Sequence, residues 1–260
     1  EEGEVENEGN AQKEKGGGAA KTKSKKKQSG TYVNGIKLPQ THLELRQIEP
    51  QTQNQQRAFV AFDEGKNLLL HGLAGTGKTL LSMYMGLCQV MQKNTTFSSV
   101  VIARSVVPTR DIGFLPGDET EKIKIYETPY KNMCSELFGR DDAYEILKRH
   151  NIIDFITTSF IRGITINNAV VVVDEMQHLT GHELDSIVTR LGDNCKVILC
   201  GDSTQSEFVK SADKNGLPKF LSIIGKLNTF AFIEFFEQDI VRSGFVKDYI
   251  IEKNKQSIQF

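Results

Sequence analysis

Eight consecutive residues carry the clearest chemistry in the chain: Gly72, Leu73, Ala74, Gly75, Thr76, Gly77, Lys78 and Thr79. They satisfy Gly-x-x-x-x-Gly-Lys-Ser/Thr at every fixed position, the pattern of a phosphate-binding loop. Glycines let backbone N–H groups turn inward and approach phosphate oxygens closely. A helix starting at Lys78 adds the positive potential of its N-terminus. Lys78 is expected to reach the β- and γ-phosphates of a nucleoside triphosphate, and the Thr79 hydroxyl to ligate Mg²⁺. The context agrees: Asn67-Leu68-Leu69-Leu70-His71 reads as a strand running into the first glycine.

A second polar cluster closes another apolar run. Ala169-Val170-Val171-Val172-Val173 ends in Asp174 and Glu175. Beside a phosphate loop, Asp174 is expected to hold the metal, directly or through water. Glu175 is placed to polarise an attacking water. On its own, an acidic pair at a strand end is also what a solvated terminus looks like. Lys196-Val197-Ile198-Leu199-Cys200 leads into Gly201-Asp202-Ser203-Thr204-Gln205 in the same strand-then-polar format. Gln205 is read as a sensor of the γ-phosphate or the nucleophilic water, against the plainer reading of a turn after a strand.

These groups must be positioned by a sheet. Strands are expected at 67–71, 98–103, 153–157, 169–173, 196–200 and 229–236, each short, rich in Val, Ile, Leu or Phe, and without clean alternation. That pattern fits central strands buried on both faces. Helices are expected at 53–63, 78–91, 129–137, 141–149 and 181–191, and Asn215, Gly216 and Pro218 mark a loop before the last helix and strand. The alternation argues for an α/β fold with a mostly parallel central sheet and helices on both faces. The long gap between Lys78 and Asp174 holds two strand candidates, so the two motif strands are expected to be separated by an inserted strand, as in a RecA-like P-loop NTPase fold.

The 260 residues are 38% hydrophobic, enough for one large domain or two small ones, and the net charge of −1 excludes binding through global basicity. Five of the first eight residues are glutamate, and a lysine run follows at Lys21, Lys23, Lys25, Lys26 and Lys27. Residues 1–30 are therefore expected to be a solvated tail, and 31–260 the folded domain. Cys88, Cys134, Cys195 and Cys200 lack zinc-ligand spacing and fit reduced cysteines of a cytoplasmic protein. No apolar run approaches the ~20 residues of a membrane span.

A longer set of motifs resembles the PhoH-like family, single-domain relatives of superfamily 1 helicases. Arg104-Ser105-Val106-Val107-Pro108-Thr109-Arg110-Asp111-Ile112-Gly113-Phe114-Leu115-Pro116-Gly117-Asp118, with Glu121-Lys122 after it, looks like the family's signature segment. Thr52-Gln53-Asn54-Gln55, Phe160-Ile161-Arg162-Gly163, Gly201 to Gln205 and Asp239-Ile240-Val241-Arg242-Ser243 follow in the family's order. The resemblance implies ATP and Mg²⁺ as cofactors and ATP hydrolysis as the activity. It likens Gln55 to an adenine-reading glutamine and Arg242 to a γ-phosphate-sensing or finger arginine, with Arg162 a second candidate. Two-domain helicases carry that arginine on a second motor domain, which this chain has no room for. Either Arg242 folds back on its own site, or it serves a neighbouring subunit in a homo-oligomeric ring, for which the family implies a hexamer.

RNA or single-stranded DNA is the implied partner of a helicase-like motor. Arg104, Arg110, Lys122 and Lys124, with Phe114 and Tyr126, offer cations for phosphates and rings for bases. Asp111, Asp118, Glu119 and Glu121 are interleaved, so a mixed-charge structural loop is the competing reading. Two other functions stay open: a P-loop small-molecule kinase, and a regulatory ATP-binding module without motor activity.

Overall fold

The computed structural model describes residues 32–33, 36–37, 43–105, 119–158, 161, 163–202 and 216–258. A two-stranded antiparallel hairpin pairs β1 (Tyr32–Val33) with β2 (Ile36–Lys37). The main sheet contains β3 (Asn67–Gly72), β4 (Ser99–Arg104), β5 (Ile153–Thr157), β6 (Ala169–Val173), β7 (Lys196–Gly201) and β8 (Phe230–Phe235). Its order is β5-β4-β6-β7-β3-β8, and every neighbouring pair is parallel. The helices are α1 (Gln53–Asp63), α2 (Lys78–Met91), α3 (Glu119–Phe138), α4 (Ala143–Arg149), α5 (Gly181–Val188), α6 (Gly216–Ile224) and α7 (Gly244–Ile258).

The absence of alternation in the strands has a direct cause. Side chains of a strand point to opposite faces in turn, and both faces are covered in the inner strands β4, β6, β7 and β3; the edge strands β5 and β8 depart from the expectation and alternate, with Asp154, Phe232 and Glu234 exposed. Val170 and Val172 of β6 join one core with Ala58 and Phe62 of α1, Leu81 and Leu87 of α2, and Leu137 of α3. Val171 and Val173 join the other, with Leu184 and Ile187 of α5 and Phe220 and Ile224 of α6. Leu68 and Leu70 against Leu69, and Ile198 and Cys200 against Val197 and Leu199, divide the same way. The arrangement is a RecA-like P-loop NTPase fold: one strand, β7, separates the P-loop strand β3 from the acidic strand β6.

That separator comes from a part of the chain after Asp174. The two strands in the gap between the motifs, β4 and β5, lie on the far side of β6. Other departures from expectation are local. The helix expected at 129–137 is the last half of α3, which begins at Glu119 and carries Pro129 inside it. A proline usually starts or breaks a helix, and here the helix runs through it. Helix α5 stops at Val188, and Leu191 instead forms a parallel bridge with Ile166. Gly216 and Pro218, read as loop, form the first turn of α6, where proline is tolerated. Helix α7 had no clear apolar stripe to announce it, and Phe245 and Tyr249 on it are 82% and 61% exposed.

Gly72 shows how closely the sheet edge and the P-loop are fitted. It has φ +113, and a Cβ built there would lie 2.2 Å from the carbonyl oxygen of Phe235 on β8. Both the backbone conformation and the backbone neighbour exclude a side chain. Gly72→Ala is expected to destabilise the fold by about 3 kcal/mol or more. Urea unfolding followed by circular dichroism measures this.

Candidate functional site

β3 delivers the chain to Gly72, and left-handed glycines at 72, 75 and 77 (φ +113, +74 and +84) wrap the loop around the start of α2. Gly77 caps that helix with no side chain of its own, leaving the first backbone N–H groups without a capping side-chain oxygen. Thr76 is fully buried and donates its hydroxyl to the Leu73 carbonyl at 3.0 Å. The Lys78 amine donates to the carbonyls of Gly72 (3.0 Å) and Leu73 (2.6 Å) and to the Thr76 hydroxyl (3.3 Å). Burial holds the Lys78 ammonium below the usual lysine range, while Asp202, Cys200, Glu175 and Asp174 pull it back.

Asp174 stands across β7 from this loop and yet meets it. Thr79 Oγ1 donates to Asp174 Oδ1 at 2.9 Å. The second carboxylate oxygen accepts from the hydroxyl of Tyr130, on α3, at 2.8 Å. Burial first, and the charge of Glu175 second, push the Asp174 carboxyl above its ordinary value; Tyr130, Thr79 and Arg104 oppose that rise. Glu175 adopts a left-handed backbone, φ 51 and ψ 45, unusual for a side chain of its size. Its carboxylate accepts from the amide nitrogen of Gln177. The same amide's oxygen accepts from the backbone N–H of Asp202 at 3.0 Å, so Gln177 joins the end of β6 to the end of β7.

Among the described residues, no group of three or more His, Cys, Asp or Glu side chains could hold a metal ion by itself. The Thr79 hydroxyl and Asp174 carboxylate instead form a pair of hard oxygen donors beside the phosphate loop. That set suits Mg²⁺, which is held by one or two protein oxygens and keeps phosphate oxygens and water for the rest.

A strap from the end of the domain closes over the loop. The buried Asp239 accepts from Asn54 Nδ2 at 2.8 Å and from the Phe236 backbone at 2.9 Å. Two residues on, the Val241 N–H donates to the Gly75 carbonyl at 3.1 Å. Arg242 is exposed, and its Cγ lies 3.0 Å from where a Gly75 Cβ would be, so its stem rests on its own chain's loop. Gln55 is buried and braced: its nitrogen donates to the Thr76 carbonyl at 3.1 Å and its oxygen accepts from Gln51 N at 2.7 Å. These two bonds use one of the amide's two N–H donors and one of its oxygen's two acceptor sites.

Gln205, Arg162, Arg110 and Phe114 lie outside the described residues. Of the basic and aromatic groups read as a nucleic-acid surface, Arg104 turns inward. It sits over the Tyr126 ring at 5.9 Å and also contacts the Tyr130 hydroxyl. Lys124 is exposed. Sequence reasoning missed Tyr130, Gln177, Asn54, Asp202 and Asp239 as site residues. Gln177 was findable as an amide two residues beyond Glu175, and Asn54 and Asp239 lie within motifs already singled out. Tyr130 gave no signal, because it arrives on a helix that reads as packing.

The family model for PhoH-like protein matches residues 47–252. A PhoH-like protein of Bacillus subtilis (strain 168) is 31% identical over 204 residues, covering 78% of this chain and 63% of the relative. Protein PhoH of Escherichia coli (strain K12) is 30% identical over 184 residues, covering 70% of this chain and 51% of the relative. Among solved structures, the large terminase of the thermophilic bacteriophage D6E, in complex with ADP, aligns over 76% of this chain and 48% of its own. Its TM-score is 0.43 at 15% identity.

Because the Asp174 carboxyl is raised in the folded protein, its charged form opposes folding at neutral pH. Asp174→Asn removes that charge and keeps one acceptor, and either neighbouring hydroxyl can accept from the new amide. The variant is expected to melt a few degrees above wild type in EDTA, read by differential scanning calorimetry.

Proposed function

Since the chain belongs to the PhoH-like family, we propose that it binds ATP with Mg²⁺ and hydrolyses it, in a cycle coupled to RNA or single-stranded DNA. The observation that carries this reading is the 2.9 Å hydrogen bond from Thr79 to Asp174, which draws the two motifs together beside the Lys78 amine. Bound Mg²⁺ supplies positive charge that offsets the charge of the triphosphate. The residues of the chain do the rest. Gly72 and Leu73 open the loop, with the Leu73 N–H given to the Phe235 carbonyl at 3.0 Å, and Ala74, Gly75, Thr76 and Gly77 offer backbone N–H groups to the phosphates. Lys78 exchanges its loop carbonyls for phosphate oxygens, and Thr79 and Asp174 hold the metal.

Glu175 takes the proton from the attacking water, with Gln177 holding its carboxylate until then. Gln205 senses the γ-phosphate, and Arg242 offsets the charge that develops there. Gln55 contributes to base recognition through the donor and acceptor sites its two present bonds leave over. The support for ATP over other triphosphates is family membership, and the support for a nucleic-acid partner is the same. Residues 31–260 serve as the ATPase domain; residues 1–30 lie outside the described residues. The exposed Phe245 and Tyr249 near the loop strap support association of copies, with a hexameric ring as the expected state. Cys88, Cys134, Cys195 and Cys200 are all free, and a cytoplasmic setting is part of the proposal. Among the described residues, no helix is long and apolar enough to cross a membrane.

Lys78→Ala is expected to lower ATP turnover by about 10²-fold or more. Glu175→Gln should bind ATP as wild type does and hydrolyse it about 10²–10⁴-fold more slowly. Phosphate release measured with and without single-stranded RNA checks both and tests the coupling. Stimulation by RNA supports the motor. Phosphate transferred to a metabolite instead of water would move the assignment to a kinase, and tight binding without turnover to a regulatory module.

A further inference from the structure

We infer that Tyr130 is a positioning residue for the metal-side carboxylate: its phenol fixes the rotation of Asp174, leaving the oxygen beside Thr79 to face the P-loop. This rests on the reading of Thr79 and Asp174 as the Mg²⁺ pair.

The last torsion of an aspartate is broad and nearly two-fold, so its carboxylate does not orient itself. The backbone at Asp174 is held, its N–H donating to Ala103 at 3.0 Å, but that leaves the side chain free to turn. Thr79 holds Oδ1 from the P-loop side. Oδ2 is held by Tyr130, from a helix that belongs to neither motif. Glu175 is occupied separately by Gln177. The two adjacent carboxylates are therefore tied down by different partners, which keeps like charges in separate settings.

Packing alone does not call for a phenol at position 130. The side chain is fully buried, and its ring lies 5.7 Å from that of Phe155 at a 42° tilt. A phenylalanine would fill the same volume. A buried hydroxyl is costly without a partner, and this one has the carboxylate in front of it and Arg104 beside it. Arg104 closes β4, is held over the Tyr126 ring, and lends its positive charge to the same carboxylate. Tyrosine and arginine together form a brace from α3 and β4 onto the end of β6.

The test is Tyr130→Phe, which deletes the hydroxyl and keeps the ring. Mn²⁺ binding to the ADP complex is followed by electron paramagnetic resonance, and ADP affinity is measured separately in EDTA. Loss of a group that orients a metal ligand lowers metal affinity by about 10–100-fold. Expected here is a loss of about 10-fold for Mn²⁺ with metal-free ADP affinity unchanged. Folded Tyr130→Phe protein whose Mn²⁺ affinity stays within about two-fold of wild type overturns the inference and leaves the metal site standing. Wild-type protein that binds no Mn²⁺ with ADP overturns the metal reading and this inference with it. Should Tyr130→Phe not fold, Arg104→Met carries the test: a weaker Mn²⁺ complex supports the brace, and an unaltered one overturns it.

Discussion

A hydroxyl at the start of one helix and a carboxylate at the end of a non-adjacent strand meet at 2.9 Å, and much of the architecture follows from that contact. Thr79 and Asp174 are carried by α2 and β6, with β7 between β3 and β6 in the sheet. For the two groups to touch, β3, β7 and β6 must be parallel and in a register that brings their C-terminal ends level. The pairing of Leu70 with Cys200 and of Val173 with Leu199 provides that register. A one-residue slip in either ladder would turn each side chain to the opposite face, exchanging the two cores as well as the acids.

Around this contact the site carries tension of two kinds. Lys78 and Asp174 are opposite charges, both withdrawn from water, and burial works against the charged form of each. The remedy is local hydrogen bonding: loop carbonyls for the amine, Thr79 and Tyr130 for the carboxylate. Glu175 adds backbone cost by standing in the left-handed region, where a non-glycine residue needs a surrounding structure to keep it. Gln177 provides part of that hold and passes it to β7. A nucleotide and its metal would arrive at groups already oriented, and would replace partners that the protein supplies to itself.

The sequence made the sheet legible because its four inner strands are buried on both sides. Continuous runs such as 169–173 stand out from the polar helices between them, and the expected span matches the observed one residue for residue. The glycine pattern of the phosphate loop was equally plain, since each fixed position answers a backbone requirement. Contacts across the fold were not legible. Arg104 looked like a surface cation because it heads a stretch that also carries Arg110, Lys122 and Lys124, yet it points at Tyr130 and Tyr126, which belong to a helix that follows later. The order of strands could be anticipated only in part: that a strand is inserted follows from the motifs, but its being β7 depends on which crossover packs on which face. Helix α7 escaped notice because its apolar residues are largely exposed and leave no stripe.

The closure by Asp239 and Val241 has a temporal consequence for synthesis. Asn54 must wait for Asp239, the loop carbonyl of Gly75 for Val241, and Gly72 for Phe235. Translation proceeds at about 5–20 residues per second, so the loop leaves the ribosome some seconds before the segments that seal it. During that interval a nascent chain has the whole consensus octapeptide and no finished cradle. Completion of the cradle is thereby deferred until residues 235–241 have emerged, and a product terminated before them retains the motif without the segments that seal it.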